Sequence, residues 1–187
     1  MIEVRWYARA GQGAWTASNL LATAAVIDGK YVQSFPAFGP ERSGAPMFAF
    51  TRVSTEPILI HSMIYEPDVV VVLDPTLIPS RDTTTGLKNG GVLVLNYSGR
   101  VEKLYEVLGI NRGLYKVYVA PATELAMELL KRPITSTAML GALVKATNIV
   151  SIDAVVKALK ERFPGPLAER NIELVKRAFE KTMEVYM

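Results

Sequence analysis

The pattern of apolar positions predicts short strands separated by helices. Segments rich in β-branched and aromatic residues predict strands at residues 2–8, 31–35, 47–53, 57–60, 69–73, 91–97 and 116–120. The segments VVVVL (69–73) and GVLVLNY (91–97) have almost no polar face, which is typical of strands covered on both sides in a parallel sheet. Segments 47–53 and 57–60 are close enough in sequence to predict a hairpin.

Apolar residues spaced three and four apart predict helices between the strands and throughout the last third of the chain. The predicted helices follow Gly13 as far as Gly29 and then cover residues 101–108, 123–131, 136–148 and 152–163. A final helix follows a hinge at residues 164–166 and includes Ile172 to Tyr186. We expect Thr135 or Ser136 to cap the fourth of these and Ser151 the fifth. The helix over 136–148 is apolar almost all round, so we expect it to be buried.

The last predicted helix would place five large apolar residues on one face, namely Ile172, Val175, Phe179, Met183 and Tyr186. Glu173 and Arg177 would pair on its outer side. This alternation of strands and helices predicts an α/β fold, a three-layer α/β/α sandwich with a mainly parallel, partly mixed sheet and a helical C-terminal third. Residues 1–187 are expected to form a single domain, and ligands would bind beyond the carboxyl ends of its strands.

Composition narrows the possible chemistry. The chain contains no cysteine, which excludes thiolate zinc sites, iron–sulfur ligation and a cysteine nucleophile. A single histidine, His61, makes a histidine metal cluster impossible, and we interpret it as a partly exposed strand residue. The net charge of +3 is spread along the chain, which argues against nucleic acid as a partner. The N-terminus does not resemble a signal peptide, and the longest apolar run is far too short to span a membrane. We therefore expect a cytoplasmic protein with no membrane partner.

The first candidate site is the turn AGQG, which contains Gly11, Gln12 and Gly13 between the first strand and the first helix. Glycines let backbone amides approach an anion, and a helix N-terminus adds partial positive charge. The pattern is not a dinucleotide fingerprint, because Thr16 stands where a third glycine belongs and no acidic residue follows the second strand. A phosphate or carboxylate site and a simple tight turn both remain open.

The second candidate site is the loop SFPAFGPERSGAP over residues 34–46. Its prolines limit the freedom of the unfolded loop, so ordering it on binding costs less entropy. Arg42 could hold a phosphate with its forked guanidinium, oriented by Glu41, and Gly44 lies just beyond them. Phe38 is expected to dock against a partner protein. The alternative is a surface turn with a solvated ion pair.

Asp74 and Asn96 form the third candidate site, because each ends one of the two fully apolar strands. They could line a crevice at the sheet edge or simply stabilise turns, the second being the more common role of an aspartate before proline. The sequence shows no nucleophile elbow, no Walker A lysine and no paired-carboxylate motif.

Four segments together resemble the gamma subunit of pyruvate and related 2-oxoacid:ferredoxin oxidoreductases. They are RAGQGAWTASNLLATAA, YVQSFPAFGPERSGAPMFAFTRVS, EPDVVVVLDPTLI and PITSTAMLGALVKATNIVSID, and they extend over most of the chain. The resemblance implies a part in the oxidative decarboxylation of a 2-oxoacid, in which coenzyme A accepts the acyl group and ferredoxin accepts the electrons. Pyruvate is the first candidate substrate and a branched-chain 2-oxoacid the second.

The resemblance also implies a division of labour. The gamma unit would contribute to coenzyme A binding and complex assembly, with alpha, beta and delta type subunits as partners. Thiamine pyrophosphate, magnesium and iron–sulfur clusters would belong to those partners, so the chain alone would be inactive. The expected coenzyme A contacts are Gly11, Gln12, Gly13, Glu41, Arg42 and Gly44, with no catalytic or metal-binding residue. Two alternatives are a stand-alone NAD- or FAD-binding domain and a purely structural assembly subunit.

Overall fold

A computed structural model describes residues 1–37, 44–111 and 113–186, and its centre is a seven-stranded mixed sheet. The strands are β1 (Ile2–Arg9), β2 (Tyr31–Pro36), β3 (Pro46–Ser54), β4 (Val69–Val72), β5 (Val92–Asn96), β6 (Lys116–Ala120) and β7 (Met183–Glu184). Their order across the sheet is β2-β3-β1-β4-β5-β6-β7. Strands β1, β4, β5 and β6 run parallel, whereas β3 lies antiparallel between β1 and β2, and β7 pairs antiparallel with β6.

In the described residues, six helices surround this sheet unevenly. They are α1 (Ala14–Ile27), α2 (Leu104–Leu108), α3 (Ala122–Leu130), α4 (Ser136–Thr147), α5 (Ile152–Arg162) and α6 (Gly165–Lys181). The apolar faces of α1, α3, α4, α5 and α6 share one core with the sheet. Short α2 and 3-10 turns form a thinner cover on the opposite face. The predicted α/β sandwich with a mixed sheet is therefore confirmed. No helix in the described part of the chain is long and apolar enough to cross a membrane.

Strand β4 shows why the most apolar segment of the sequence lies at the centre. Val69 and Val71 face the helical core, whereas Val70 and Val72 face the thinner layer. All four are almost completely buried, because β1 and β5 flank the strand on its two edges. A strand in this position has no solvent-facing side, which explains the lack of alternation in its sequence.

Helices α4 and α6 approach each other at a glycine. A Cβ atom added to Gly141 would collide with the carbonyl oxygen of Val175, so the two main chains are in direct contact. The surrounding residues of α4 are buried, as the apolar sequence of this helix predicts. The two helices also meet nearer their starts, where the Thr137 hydroxyl donates to Oδ1 of Asn171 at 2.8 Å.

The predicted hairpin between residues 47–53 and 57–60 is wrong. Residues 57–60 form no strand, and β3 pairs instead with β2 on one side and β1 on the other. Because both edges of β3 are occupied, no further strand can pair with it. His61 consequently lies exposed in a loop rather than in a strand.

The predicted extension of the last helix to residue 186 is also wrong. Helix α6 ends at Lys181, and Met183 pairs with Val119 as part of β7. Thr182 ends the helix in an extended conformation while its hydroxyl donates to the carbonyl of Ala178. Arg177 lies 4.0 Å from Glu173 as expected, but its closer partner is Glu128 on α3, at 2.7 and 2.9 Å.

Candidate functional site

The glycine turn that follows β1 leads directly into helix α1. Gly11 and Gly13 have φ angles of +93° and +87°, in the left-handed region that favours glycine. Gly13 is the N-cap residue, so no side chain occupies the end of α1, and the first turn carries no acidic residue. The free amide groups and the helix dipole together favour an anion at this end.

The side chain of Gln12 fixes the turn between the two glycines. Its Oε1 atom accepts a hydrogen bond from the backbone nitrogen of Arg9 at 2.9 Å. Its Nε2 atom donates to Oδ2 of Asp74 at 2.6 Å. These two bonds connect the turn both to the end of β1 and to Asp74, which lies just after β4.

Asp74 is buried behind the turn, with 6% of its surface exposed. Burial raises the pKa of its carboxyl group, but hydrogen bonds from the Thr76 hydroxyl, the Gln12 amide and the Thr76 backbone, together with the charge of Arg9, outweigh this effect. The net result is a pKa below the ordinary value. Asp74 is therefore an ionised anchor near neutral pH. It is also the N-cap of a 3-10 turn, so the predicted turn role is confirmed.

A second helix N-terminus meets the glycine turn. Thr135 is the N-cap of α4, but its hydroxyl donates to the Leu73 carbonyl at 3.3 Å instead of accepting from the helix. Thr135 therefore occupies the predicted N-cap position. Neither its hydroxyl nor that of Ser136 forms a capping hydrogen bond in the described contacts. A Cβ atom on Gly13 would lie 3.1 Å from the Cβ of Ser136, so the ends of α1 and α4 touch.

The two helix ends form one wall of a cleft of about 340 Å³. Three arginines line it, Arg132 after α3, Arg162 at the end of α5 and Arg170 in α6. None of them forms an ion pair with any residue in the described ranges. Apolar side chains complete the lining, namely Leu130, Ile134, Phe163 and Leu167. Concentrated positive charge beside apolar walls suits a phosphorylated ligand with an apolar portion.

The structure brings only some of the predicted site residues into this cleft. Gly11, Gln12 and Gly13 line it. Gly44 contacts the turn instead, donating to the Ala10 carbonyl at 3.4 Å and accepting from Arg9 at 3.2 Å. Glu41 and Arg42, as well as Phe38, lie outside the described residues, so their roles stay predictions.

Asn96 is a structural residue. Its amide nitrogen donates to the Leu73 carbonyl and to the Thr123 hydroxyl, each at 2.8 Å, and its oxygen accepts from the Thr123 backbone at 3.2 Å. These bonds join the ends of β4 and β5 to the start of α3.

Sequence reasoning missed the three arginines of the cleft, which come from three separate helical elements. The only local signal was that Arg132 stands directly before Pro133 and Arg162 two residues before Pro164, where helices end.

Residues 3–181 match the family model described as pyruvate ferredoxin/flavodoxin oxidoreductase. The chain belongs to this family. It is 51% identical over 183 residues to the pyruvate/ketoisovalerate oxidoreductases common subunit gamma of Thermococcus kodakarensis, covering 98% of each chain. It is 48% identical over 181 residues to the pyruvate synthase subunit PorC of Methanothermobacter thermautotrophicus, covering 97% of this chain and 96% of that protein. The predicted resemblance to gamma subunits is therefore confirmed.

Solved structures agree with this membership. The pyruvate oxidoreductase subunit PORC of Thermotoga maritima has a TM-score of 0.87 and 39% identity, covering 99% of this chain and 98% of that one. The 2-oxoglutarate:ferredoxin oxidoreductase of Magnetococcus marinus, solved with 2-oxoglutarate, coenzyme A and succinyl-CoA bound, has a TM-score of 0.75. Its 19% identity shows the fold alone, and the match covers 95% of this chain and 30% of that longer chain.

Proposed function

We propose that the chain is the coenzyme A-binding gamma subunit of a complex that oxidises a 2-oxoacid, with pyruvate the first candidate. The acyl group would pass to coenzyme A and the electrons to ferredoxin. The observation that carries this proposal is the arginine-lined cleft at the glycine turn. Membership of the family, whose relatives include subunits of pyruvate synthase, supplies the class of reaction.

The charges of the cleft fit the phosphates of coenzyme A. This cofactor carries a diphosphate and a 3′-phosphate, and an arginine can bind two phosphate oxygens at once. The uncapped N-termini of α1 and α4 supply further donors at the same place. We assign the diphosphate to the Gly11–Gly13 end, where backbone can approach closely, and the 3′-phosphate to the arginines.

The size of the cleft supports a coenzyme A site that is shared with a partner subunit. A volume of about 340 Å³ accommodates phosphates and part of the adjoining groups, but not a whole nucleotide with its long pantetheine arm. The rest of the arm, which ends in the reactive thiol, would extend beyond this chain towards the partner that holds the 2-oxoacid. The role of this chain is thus to bind and orient the acyl acceptor.

The remaining cofactors are assigned to alpha, beta and delta type partners. A chain without cysteine has no thiolates for an iron–sulfur cluster. In the described ranges no group of three histidine or acidic side chains could hold a metal ion, such as the magnesium that accompanies thiamine pyrophosphate. The described residues of this chain therefore fit neither an iron–sulfur cluster nor thiamine pyrophosphate with its magnesium. No step of the oxidation is assigned to these residues.

The sheet order argues against the alternative of an NAD- or FAD-binding domain. In a dinucleotide-binding unit, the strand after the first helix lies next to the first strand and supplies an acidic residue for the ribose. Here β3 separates β2 from β1, and the end of β2 carries Ser34 and Phe35. A purely structural subunit, the other alternative, would not need three arginines in one cleft that lack ion pairs with the described part of the chain.

Calorimetry on the isolated chain tests the binding role. Coenzyme A should bind, dephospho-coenzyme A more weakly, and NADH not measurably. Absence of heat with coenzyme A, combined with an unchanged KM for coenzyme A in complexes that carry Arg170→Gln, would support the purely structural alternative. Tighter binding of NADH than of coenzyme A would support the dinucleotide alternative.

The isolated chain is expected to have no oxidoreductase activity. Pure chain, supplied with pyruvate, coenzyme A and a viologen dye, should leave the dye oxidised, and reduction should begin only when the partner subunits are added. Dye reduction by the pure chain would overturn the division of labour proposed here.

Complex assembly is supported by exposed apolar side chains in the irregular segment between β3 and β4. Leu59 and Tyr65 are 82% and 72% exposed. Such side chains are costly in water unless a partner covers them. Leu59→Asp should weaken reconstitution of the complex in size-exclusion chromatography while leaving coenzyme A binding by the isolated chain unchanged. Normal reconstitution would place the subunit contact elsewhere.

A further inference from the structure

We infer that Asp74 is a positioning residue for coenzyme A, acting on the glycine turn through Gln12. Asp74 is not part of the cleft lining, yet its Oδ2 atom accepts the bond from Gln12 Nε2 at 2.6 Å. Its Oδ1 atom accepts from the backbone and hydroxyl of Thr76 at 2.8 and 2.7 Å. The carboxylate therefore connects the ligand-binding turn to the rigid end of β4. This inference rests on the proposed function.

The turn needs such an anchor because it is built from two glycines. Glycine populates many backbone conformations, so a turn with glycine at positions 11 and 13 is free to move unless other contacts hold it. A Cβ atom at Gly11 would contact no other group among the described residues, so no described side chain packs against it there. Gln12 lies between them, and its two side-chain bonds tie the turn to the Arg9 backbone and to Asp74.

The charge of Asp74 is balanced behind the turn. Its Oδ2 atom lies 3.3 Å from Nε of Arg9, and the same guanidinium donates to the Thr76 hydroxyl at 3.0 Å. A paired carboxylate contributes little repulsion to an anion in the cleft, whereas an unpaired one would oppose binding. Asp74 can thus hold the donor side chain of Gln12 without weakening the anion site.

The test compares Asp74→Asn and Gln12→Met in the assembled complex. Asparagine offers Thr76 its single oxygen and turns its own NH₂ group towards the Gln12 amide, so the bond between residues 74 and 12 is lost. We expect each variant to raise the KM for coenzyme A about three- to tenfold, with kcat and the KM for the 2-oxoacid little changed. The double variant should be no worse than Gln12→Met alone, because that variant already breaks the bond between residues 12 and 74, along with the bond from the Arg9 backbone.

Asp68→Asn is the matched control, because Asp68 precedes β4 as Asp74 follows it, and it also accepts a backbone hydrogen bond and pairs with a cation. It should leave the KM for coenzyme A unchanged. Additive effects of the two test variants, or an equal effect of Asp68→Asn, would show general destabilisation and overturn the inference.

Hydrogen exchange at the amides of residues 11–16 provides a readout that does not depend on coenzyme A. Asp74→Asn should speed exchange there and not in β5. Unchanged exchange overturns the positioning role whatever the cleft binds. Faster exchange with an unchanged KM, when Arg170→Gln also leaves the KM unchanged, instead shows that the proposed coenzyme A site is wrong.

Discussion

Charged side chains gather at both ends of the β1–β4 pair, but their charges are balanced differently. At the amino end Glu3 pairs with Arg52 at 2.8 Å and Asp68 with Lys88 at 2.7 Å, two acids with two bases. At the carboxyl end Asp74 and Arg9 balance each other, while the cleft beside them holds further cations.

The difference separates a structural cluster from the proposed binding site. In the cluster at the amino end, each acidic side chain is paired with a basic one, so no charge remains to attract a ligand. Arg132, Arg162 and Arg170 have no acidic partner among the described residues, so the proposed anionic ligand would supply the missing charge. Variants at the two ends should therefore affect different measurements, with stability falling at the amino end and ligand affinity at the carboxyl end.

The largest effect is expected from Arg52→Met. This side chain is 1% exposed and donates to Glu3, to Gln33 and to the Met63 carbonyl. Its removal leaves Glu3 without its close partner, and breaking a buried pair costs about 3–5 kcal/mol. Urea denaturation of the isolated chain measures this cost, and the KM for coenzyme A of any complex that still forms should be unchanged. A stable variant with a raised KM would reverse the assignment of the two ends.

Arg132→Gln, Arg162→Gln and Arg170→Gln should have the next largest effect. Each loses charge-assisted hydrogen bonds to phosphate worth about 1.5–3 kcal/mol, which corresponds to a tenfold or greater rise in the KM for coenzyme A. Folding stability should change by about 0.5 kcal/mol or less, because these side chains form no ion pairs in the described ranges.

These glutamine variants are a cleaner test than Gly13→Val. A side chain at Gly13 would meet Ser136 in a strained backbone conformation, so a valine there would disturb the helix contact as well as the ligand. Lysine at the same three positions should restore part of the affinity, as it keeps the charge without the fork. Equal KM values for wild type and all three glutamine variants would contradict the site.

Asp68→Asn should have a smaller effect. The carboxylate and its partner Lys88 are both partly exposed, at 33% and 44% of their side-chain surface. Exposed pairs contribute about 0.2–1 kcal/mol, and salt screens them. Thermal unfolding at low and high salt should show the loss at low salt only. A larger loss that persists in high salt would mean that the bond to the Glu3 backbone matters more than the charge.

The smallest effect is a pH dependence carried by Asp74. Because its pKa in the folded chain is lower than the ordinary 3.8, its ionised form stabilises the fold above that pH. The contribution is lost as the pH falls through the folded pKa. The difference in unfolding free energy between wild type and Asp74→Asn should therefore be constant near neutral pH and shrink below pH 3.8. A difference that grows on acidification would contradict the depressed pKa.

Hydrophobic pattern predicted the parts of the fold that local sequence controls. The four valines of β4 and the nearly all-apolar α4 are buried as expected, because continuous burial removes every polar position. Ser151 caps α5 by accepting from the Ala154 backbone at 3.1 Å, as a local capping rule predicts. The hairpin prediction failed because strand pairing depends on contacts between distant segments. The sequence does not reveal that β2 occupies the second edge of β3.

The candidate site was predictable only in part for a related reason. Gly11, Gln12 and Gly13 form a contiguous motif with a local physical meaning. Arg132, Arg162 and Arg170 form a cluster only when three helical regions pack together. Their spacing in the sequence does not predict that packing. The bond between Gln12 and Asp74 likewise joins residues 62 positions apart.

The contact between Gly141 and Val175 has a mechanical consequence for ligand recognition. Where main chain rests on main chain, there are no rotamers to exchange, so the spacing of α4 and α6 is stiff. Both helices line the cleft, through Ser136 on one and Arg170 on the other. Only the long arginine side chains can change conformation to fit a ligand, because the helices that carry them keep their spacing. The cleft should therefore discriminate by the number and placement of phosphates while tolerating variation in the groups attached to them.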